Sequence, residues 1–117
     1  MEKRRSARMN LPVPMKFRLH ISEPSEEVRI GEGVLKNISR GGVYFICKDP
    51  LSLAIGNSGT FTFFILDSQQ RCHMVFKGVV NRIVLPIEGD TGFGVAVQLM
   101  SPLEIVRTKL PPSEAHQ

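Results

Sequence analysis

Residues 13–21, Val13-Pro14-Met15-Lys16-Phe17-Arg18-Leu19-His20-Ile21, alternate strictly: Val13, Met15, Phe17, Leu19 and Ile21 are apolar, and Pro14, Lys16, Arg18 and His20 are not. A repeat of two residues puts one set on the core side of a half-buried β-strand and the other in water. Downstream, Glu23-Pro24-Ser25 reads as a turn and Val28 to Lys36 as a second strand, with Gly31 and Gly33 marking a bulge. Asn37-Ile38-Ser39-Arg40-Gly41-Gly42 is a turn by composition. Val43 to Lys48, Gly59 to Leu66, Arg71 to Leu85 and Phe93 to Leu99 follow as strands, separated by loops around Asp49 to Ser58, Asp67 to Gln70 and Glu88 to Gly92. Six strands without an intervening helical pattern imply an all-β, six-stranded antiparallel sheet curled into a barrel or sandwich, and a barrel would also remove exposed sheet edges.

The barrel is expected over residues 11–100, with a flexible basic arm at 1–10 and a short helix and tail at 101–117. Ser101-Pro102-Leu103-Glu104 has the composition of a helix start: a capping hydroxyl, proline where its missing N–H does no harm, and glutamate three residues past the cap. Leu103, Val106 and Leu110 would share one side, and Pro111-Pro112 would end the helix.

Of the 117 residues, 42% are apolar, which suits one ordinary globular domain. The best apolar run, Phe61 to Leu66, contains Thr62 and stops at Asp67, far short of a membrane-spanning helix. Met9 to Phe17 is broken by Asn10, Pro12, Pro14 and Lys16, so it does not read as a secretory signal, and a cytoplasmic location is expected. Cys47 and Cys72 fall inside strand patterns, where a reduced cysteine serves as a small apolar filler.

The net charge of +4 is uneven. Residues 1–20 carry Lys3, Arg4, Arg5, Arg8, Lys16 and Arg18 against Glu2, whereas the remainder carries nine basic and ten acidic groups. A cationic arm on a nearly neutral domain points to an anionic partner: nucleic acid, an acidic membrane surface or a phosphorylated small molecule.

Catalysis is not expected. His20, His73 and His116 are dispersed and have no cysteine or carboxylate at ligand spacing, so neither a metal centre nor a nucleophile–base pair is visible. Gly92-Phe93-Gly94 has Val97 where a third glycine would be needed and opens a strand, so it is no dinucleotide fingerprint.

Two motifs remain. Arg4-Arg5-Ser6-Ala7-Arg8 offers three planar guanidinium groups that can clasp phosphates bidentately, pair with guanine O6 and N7, or stack on a base. Asn37-x-Ser39-x-x-Gly42 offers an amide for a base edge, a hydroxyl, and a position with no side chain to block close approach.

Together these motifs resemble those of the PilZ domain, the bacterial receptor module for cyclic di-GMP. Its signature, R-x-x-x-R followed some 20 to 30 residues later by D/N-x-S-x-x-G, reads here as Arg4-x-x-x-Arg8 and Asn37-x-Ser39-x-x-Gly42. In this order, at this spacing and ahead of an all-β pattern, the two are far more specific than either alone. The resemblance implies a six-stranded barrel with a C-terminal helix, and cyclic di-GMP as ligand with no further cofactor. It implies that Arg4 and Arg8 grip guanine edges and phosphates, that Arg5 adds a stacking or phosphate contact, and that Asn37, Ser39, Gly41 and Gly42 form the barrel-side wall. Many members carry Asp where this chain has Asn37, and an amide accepts with one oxygen where a carboxylate offers two charged ones, so weaker binding is expected.

Micromolar affinity requires about 8 kcal/mol. Three arginines supply roughly 5 to 9 kcal/mol through charge-assisted hydrogen bonds, and ordering arm residues costs about 1 to 2 kcal/mol apiece. The barrel motif must therefore contribute, and an arm that orders over the ligand would make the module a switch. The reading is of a sensor that reports ligand to an unidentified downstream protein controlling motility, adhesion or exopolysaccharide. One rival is a small barrel that binds RNA or single-stranded DNA through the arm. It is disfavoured because Phe17, Tyr44, Phe45, Phe61, Phe63, Phe64, Phe76 and Phe93 sit mostly where a core needs them. The other rival is a protein-interaction module that binds no nucleotide, against which the intact motifs argue.

Overall fold

The alternation of residues 13–21 is realised residue for residue in β1 (Val13–Ile21), whose apolar set is buried while Pro14, Lys16 and Arg18 stay exposed. A computed structural model of the chain describes residues 11–48, 53–66, 72–86 and 92–107. The further strands are β2 (Glu27–Ile38), β3 (Gly42–Cys47), β4 (Ser58–Ile65), β5 (Cys72–Val84), β6 (Phe93–Leu99) and β7 (Glu104–Arg107). Pairing is antiparallel throughout, in the order β1–β2–β3–β6–β5–β4, and β4 returns to β1, which closes a six-stranded barrel.

Inside the ring, rings fill space. Phe17 from β1, Phe45 from β3, Phe61 and Phe63 from β4 and Phe76 from β5 are buried, and the centroids of Phe17–Phe45, Phe45–Phe63 and Phe63–Phe76 lie 5.4, 5.2 and 5.3 Å apart. These are tilted or edge-on contacts, the arrangement that ring quadrupoles favour at about 0.5–1.5 kcal/mol per pair beyond burial. Among the described residues no polar or charged side chain is buried. Cys47 and Cys72 are free thiols within this core.

Two expectations need correction. Gly31 and Gly33 do not mark a bulge: both pair regularly with β1, opposite Phe17 and Met15. The bulge lies between Leu35 and Asn37, and Gly33 is required for another reason, since a Cβ there would collide with the backbone carbonyl of Ile46 on β3.

The second correction concerns the carboxyl end. Where a helix was expected to start, Glu104–Arg107 forms β7, and no helix occurs among the described residues. Thirteen-residue β5 outruns β6: its second half, from Gly78, pairs with β6, so the same edge at Cys72 to Val75 is left open, and β7 fills it. Ser101 is not free to cap a helix either, because its Oγ accepts a hydrogen bond from the Lys77 backbone N–H at 2.9 Å. A long-range ladder thus prevails over a local capping signal. Residues 108–117, including Leu110 and Pro111-Pro112, lie outside the described residues.

Candidate functional site

Two interruptions of the period-two repeat create the candidate site. In β2, Gly33 and Leu35 face inward, so an unbroken repeat would send Asn37 into the core. The extra residue Lys36 at the bulge leaves Lys36 and Asn37 both exposed. In β5, Met74, Phe76, Gly78 and Val80 face inward, and a second bulge at Asn81 likewise turns Arg82 outward. A bulge re-aims the side chains beyond it, and both bulges act at the same level of the barrel.

Register then aligns them. Asn37 pairs with Tyr44 on β3, Tyr44 with Ala96 on β6, and Ala96 with Arg82 on β5. Directly opposed residues of antiparallel strands share a face, so these four form one outward row, with Asn37 and Arg82 about 14 Å apart across three strand spacings. Alongside runs Gly42, opposite Gln98. The rows floor an open cleft of about 520 Å³ lined by Asn37, Ser39, Gly41, Gly42, Asn81, Arg82 and Gln98 among others.

The β2–β3 turn is stitched to its neighbours. The Ser39 backbone N–H donates to the Gly42 carbonyl at 2.8 Å and Ser39 Oγ donates to the same oxygen at 3.3 Å, while the Leu99 N–H of β6 donates to the Gly41 carbonyl at 2.9 Å. The two glycines differ. A Cβ on Gly42 would stand 2.8 Å from the Val97 carbonyl oxygen, so Gly42 lets β3 approach β6, whereas a Cβ on Gly41 would meet nothing within 4 Å. Tyr44 lies over Gly94, where any Cβ would strike its hydroxyl, and this leaves the small Ala96 as open floor.

Among the described residues no Asp or Glu lines the cleft. The exposed Arg82 has no ion-pair partner among the described residues; the pairs found there are His20–Glu26 and Arg29–Glu27, which lie around the β1–β2 hairpin. A cation facing an acid-free cleft, beside an amide, hydroxyl and backbone groups, is fitted to an anion that also carries hydrogen-bonding edges.

Of the sequence-predicted site residues, Asn37, Ser39, Gly41 and Gly42 come together on this cleft. Arg4, Arg5 and Arg8 lie outside the described residues. The root of their arm is described: Leu11 packs on the core, and Val13 pairs with Leu35, two positions from Asn37. Arg82, Tyr44 and Gln98 were not anticipated. The one signal for Arg82 was Asn81-Arg82, two consecutive polar residues flanked on either side by apolar pairs, Val79-Val80 and Ile83-Val84. Elsewhere, His20 Nε2 lies 3.1 Å from Glu26 Oε2 and His73 packs beside Phe64, and no group of three or more His, Cys, Asp or Glu among the described residues could hold a metal ion.

The family model described as PilZ domain matches residues 2–110, from the basic arm through the last strand. The chain belongs to the PilZ domain family. Neither a curated protein nor a solved structure matches it. PilZ domains are modules that bind cyclic di-GMP rather than known enzymes, and the match spans both Arg4-x-x-x-Arg8 and the Asn37 turn. No helix among the described residues is long and apolar enough to cross a membrane.

Proposed function

We propose that this PilZ domain binds cyclic di-GMP in the cleft beside the β2–β3 turn and relays occupancy to a partner protein in the cytoplasm. The observation that carries the reading is the acid-free row from Asn37 to Arg82, with Ser39, Gly41 and Gly42 at its rim. A doubly anionic guanine compound needs cations for its phosphates and small polar groups for its base edges, and it needs a floor without protruding side chains.

The arm supplies the remaining cations. Arg8 is three residue steps from Leu11, a span of at most about 10 Å, so the guanidinium groups of the arm can reach a ligand at the Asn37 end of the cleft. Arg4 and Arg8 would take guanine edges and phosphates, Arg5 a further stacking or phosphate contact, and Arg82 the far end. No cofactor or metal enters this scheme.

Isothermal titration with cyclic di-GMP tests it. Wild type should bind in the micromolar range, and Arg8→Ala and Ser39→Ala should each bind more weakly with an unchanged fold. Absence of heat up to high-micromolar ligand overturns the assignment, as would binding to single-stranded oligonucleotides that scales with their length and collapses with salt.

A further inference from the structure

Across the barrel from β6, the outer face of β4–β1–β2 sets large apolar side chains among its polar ones, where a strand face turned to water is ordinarily polar. Ile30 is 67% exposed, Val28 56% and Phe64 41%. Register sets Arg18 between Ile30 and Thr62, and Lys16 between Glu32 and Phe64. A groove of about 350 Å³ runs over β1, with Ile30 on one wall, Phe64 on the other and Lys16 and Arg18 between them. Its walls stand about 10 Å apart, two strand spacings, which admits one apolar side chain.

Neither Lys16 nor Arg18 has an ion-pair partner among the described residues, although Glu32 stands opposite Lys16. Lys16 thus has an acid on the neighbouring strand, whereas Arg18 has only Ile30 and Thr62 beside it, and a cation without a counter-charge between two apolar walls presents the complement of a segment that joins an acidic to an apolar side chain. We propose that this face is a docking surface for a partner protein, which lays across β1 an extended segment with Asp or Glu beside Leu, Ile or Phe.

Other occupants fit less well. A second copy related by a two-fold axis over β1 would set Lys16 and Arg18 against themselves. An anionic bilayer, being flat and wide, would meet the exposed Glu23, Glu26 and Glu27 of the adjoining hairpin, which a single segment across β1 avoids, and the groove offers a hollow rather than a protruding apolar wedge. Placement also suits simultaneous occupancy: β1 lies across the barrel from β6, so a partner here leaves the cleft open. The assignment does not depend on the nucleotide.

The test is selection of displayed random peptides of about 12 residues on the full chain without nucleotide, with counter-selection on Arg18→Glu and Ile30→Ser. Both positions are exposed, so both variants should melt within a few degrees of wild type. The expected result is enrichment of sequences that join carboxylates to large apolar residues. By fluorescence anisotropy, synthetic versions should bind wild type and lose at least about tenfold in affinity on either variant and on Phe64→Ser. Three results overturn the proposal: no enrichment over the variants, enrichment of basic peptides, or enriched peptides indifferent to all three substitutions. Sedimentation with phosphatidylserine vesicles, or a doubled mass by light scattering, abolished in either case by Arg18→Glu, would reassign the face to a membrane or to a second copy.

Discussion

The outer face of β4–β1–β2 and the outer face of β2–β3–β6–β5 differ in one structural respect. On the first, every paired position follows its neighbour without a slip, so what points outward is what alternation in the sequence dictates. On the second, bulges at Lys36 and Asn81 each insert one residue, and two polar side chains that regular pairing would bury emerge in a common row. Burying an unpaired amide or guanidinium is costly, so at these positions the bulge resolves a conflict between strand period and side-chain polarity. A regular ladder transcribes its sequence into a surface, and a bulged one assembles groups that lie far apart in the chain.

The comparison breaks first if the two faces do not share one core. Phe17→Ala, beneath the regular face, and Phe45→Ala, beneath the bulged one, should each cost about 3–5 kcal/mol, measured by urea denaturation. A loss from only one of them would mean that the faces are stabilised separately. The next largest effect concerns recognition. Arg82→Ala should weaken cyclic di-GMP binding by about 1.5–3 kcal/mol in a titration while leaving the melting temperature unchanged, because the side chain is exposed and unpaired among the described residues. Unaltered affinity would confine the ligand to the Asn37 end. Gly42→Ala should then cost about 1–3 kcal/mol of stability as β3 is pushed from the Val97 carbonyl, whether or not nucleotide is present. The smallest change is expected from Gly41→Ala, within about 0.5 kcal/mol of wild type in denaturation. A methyl group there meets only open space, so any loss of nucleotide affinity in this variant isolates close ligand approach from folding.

Much of the regular face could be read in advance, because β1 coincides end to end with its alternating segment; on the other face β6 also has the ends expected of it. The ends of β2, β3, β4 and β5 were off by one or two residues, as befits termini set by their neighbours rather than by their own side chains. The carboxyl strand was misread because Ser101-Pro102-Leu103-Glu104 satisfies local helix chemistry, while the vacant edge of β5 that draws Glu104–Arg107 into the sheet arises from a pairing made elsewhere. Within the site, Asn37 and Ser39 were visible as a motif. Arg82, more than forty residues away in the chain, had only the doubled polar pair Asn81-Arg82 to announce it.

Period, polarity and motif spacing are local properties, and from them alone came the β class of the chain, its six barrel strands, the basic arm and the polar turn. Which strands close the ring, where each ladder slips by one residue and which side chains consequently meet belong to the tertiary structure. They follow from packing five phenylalanine rings inside a closed barrel while keeping polar groups in water, a condition no single segment can satisfy by itself.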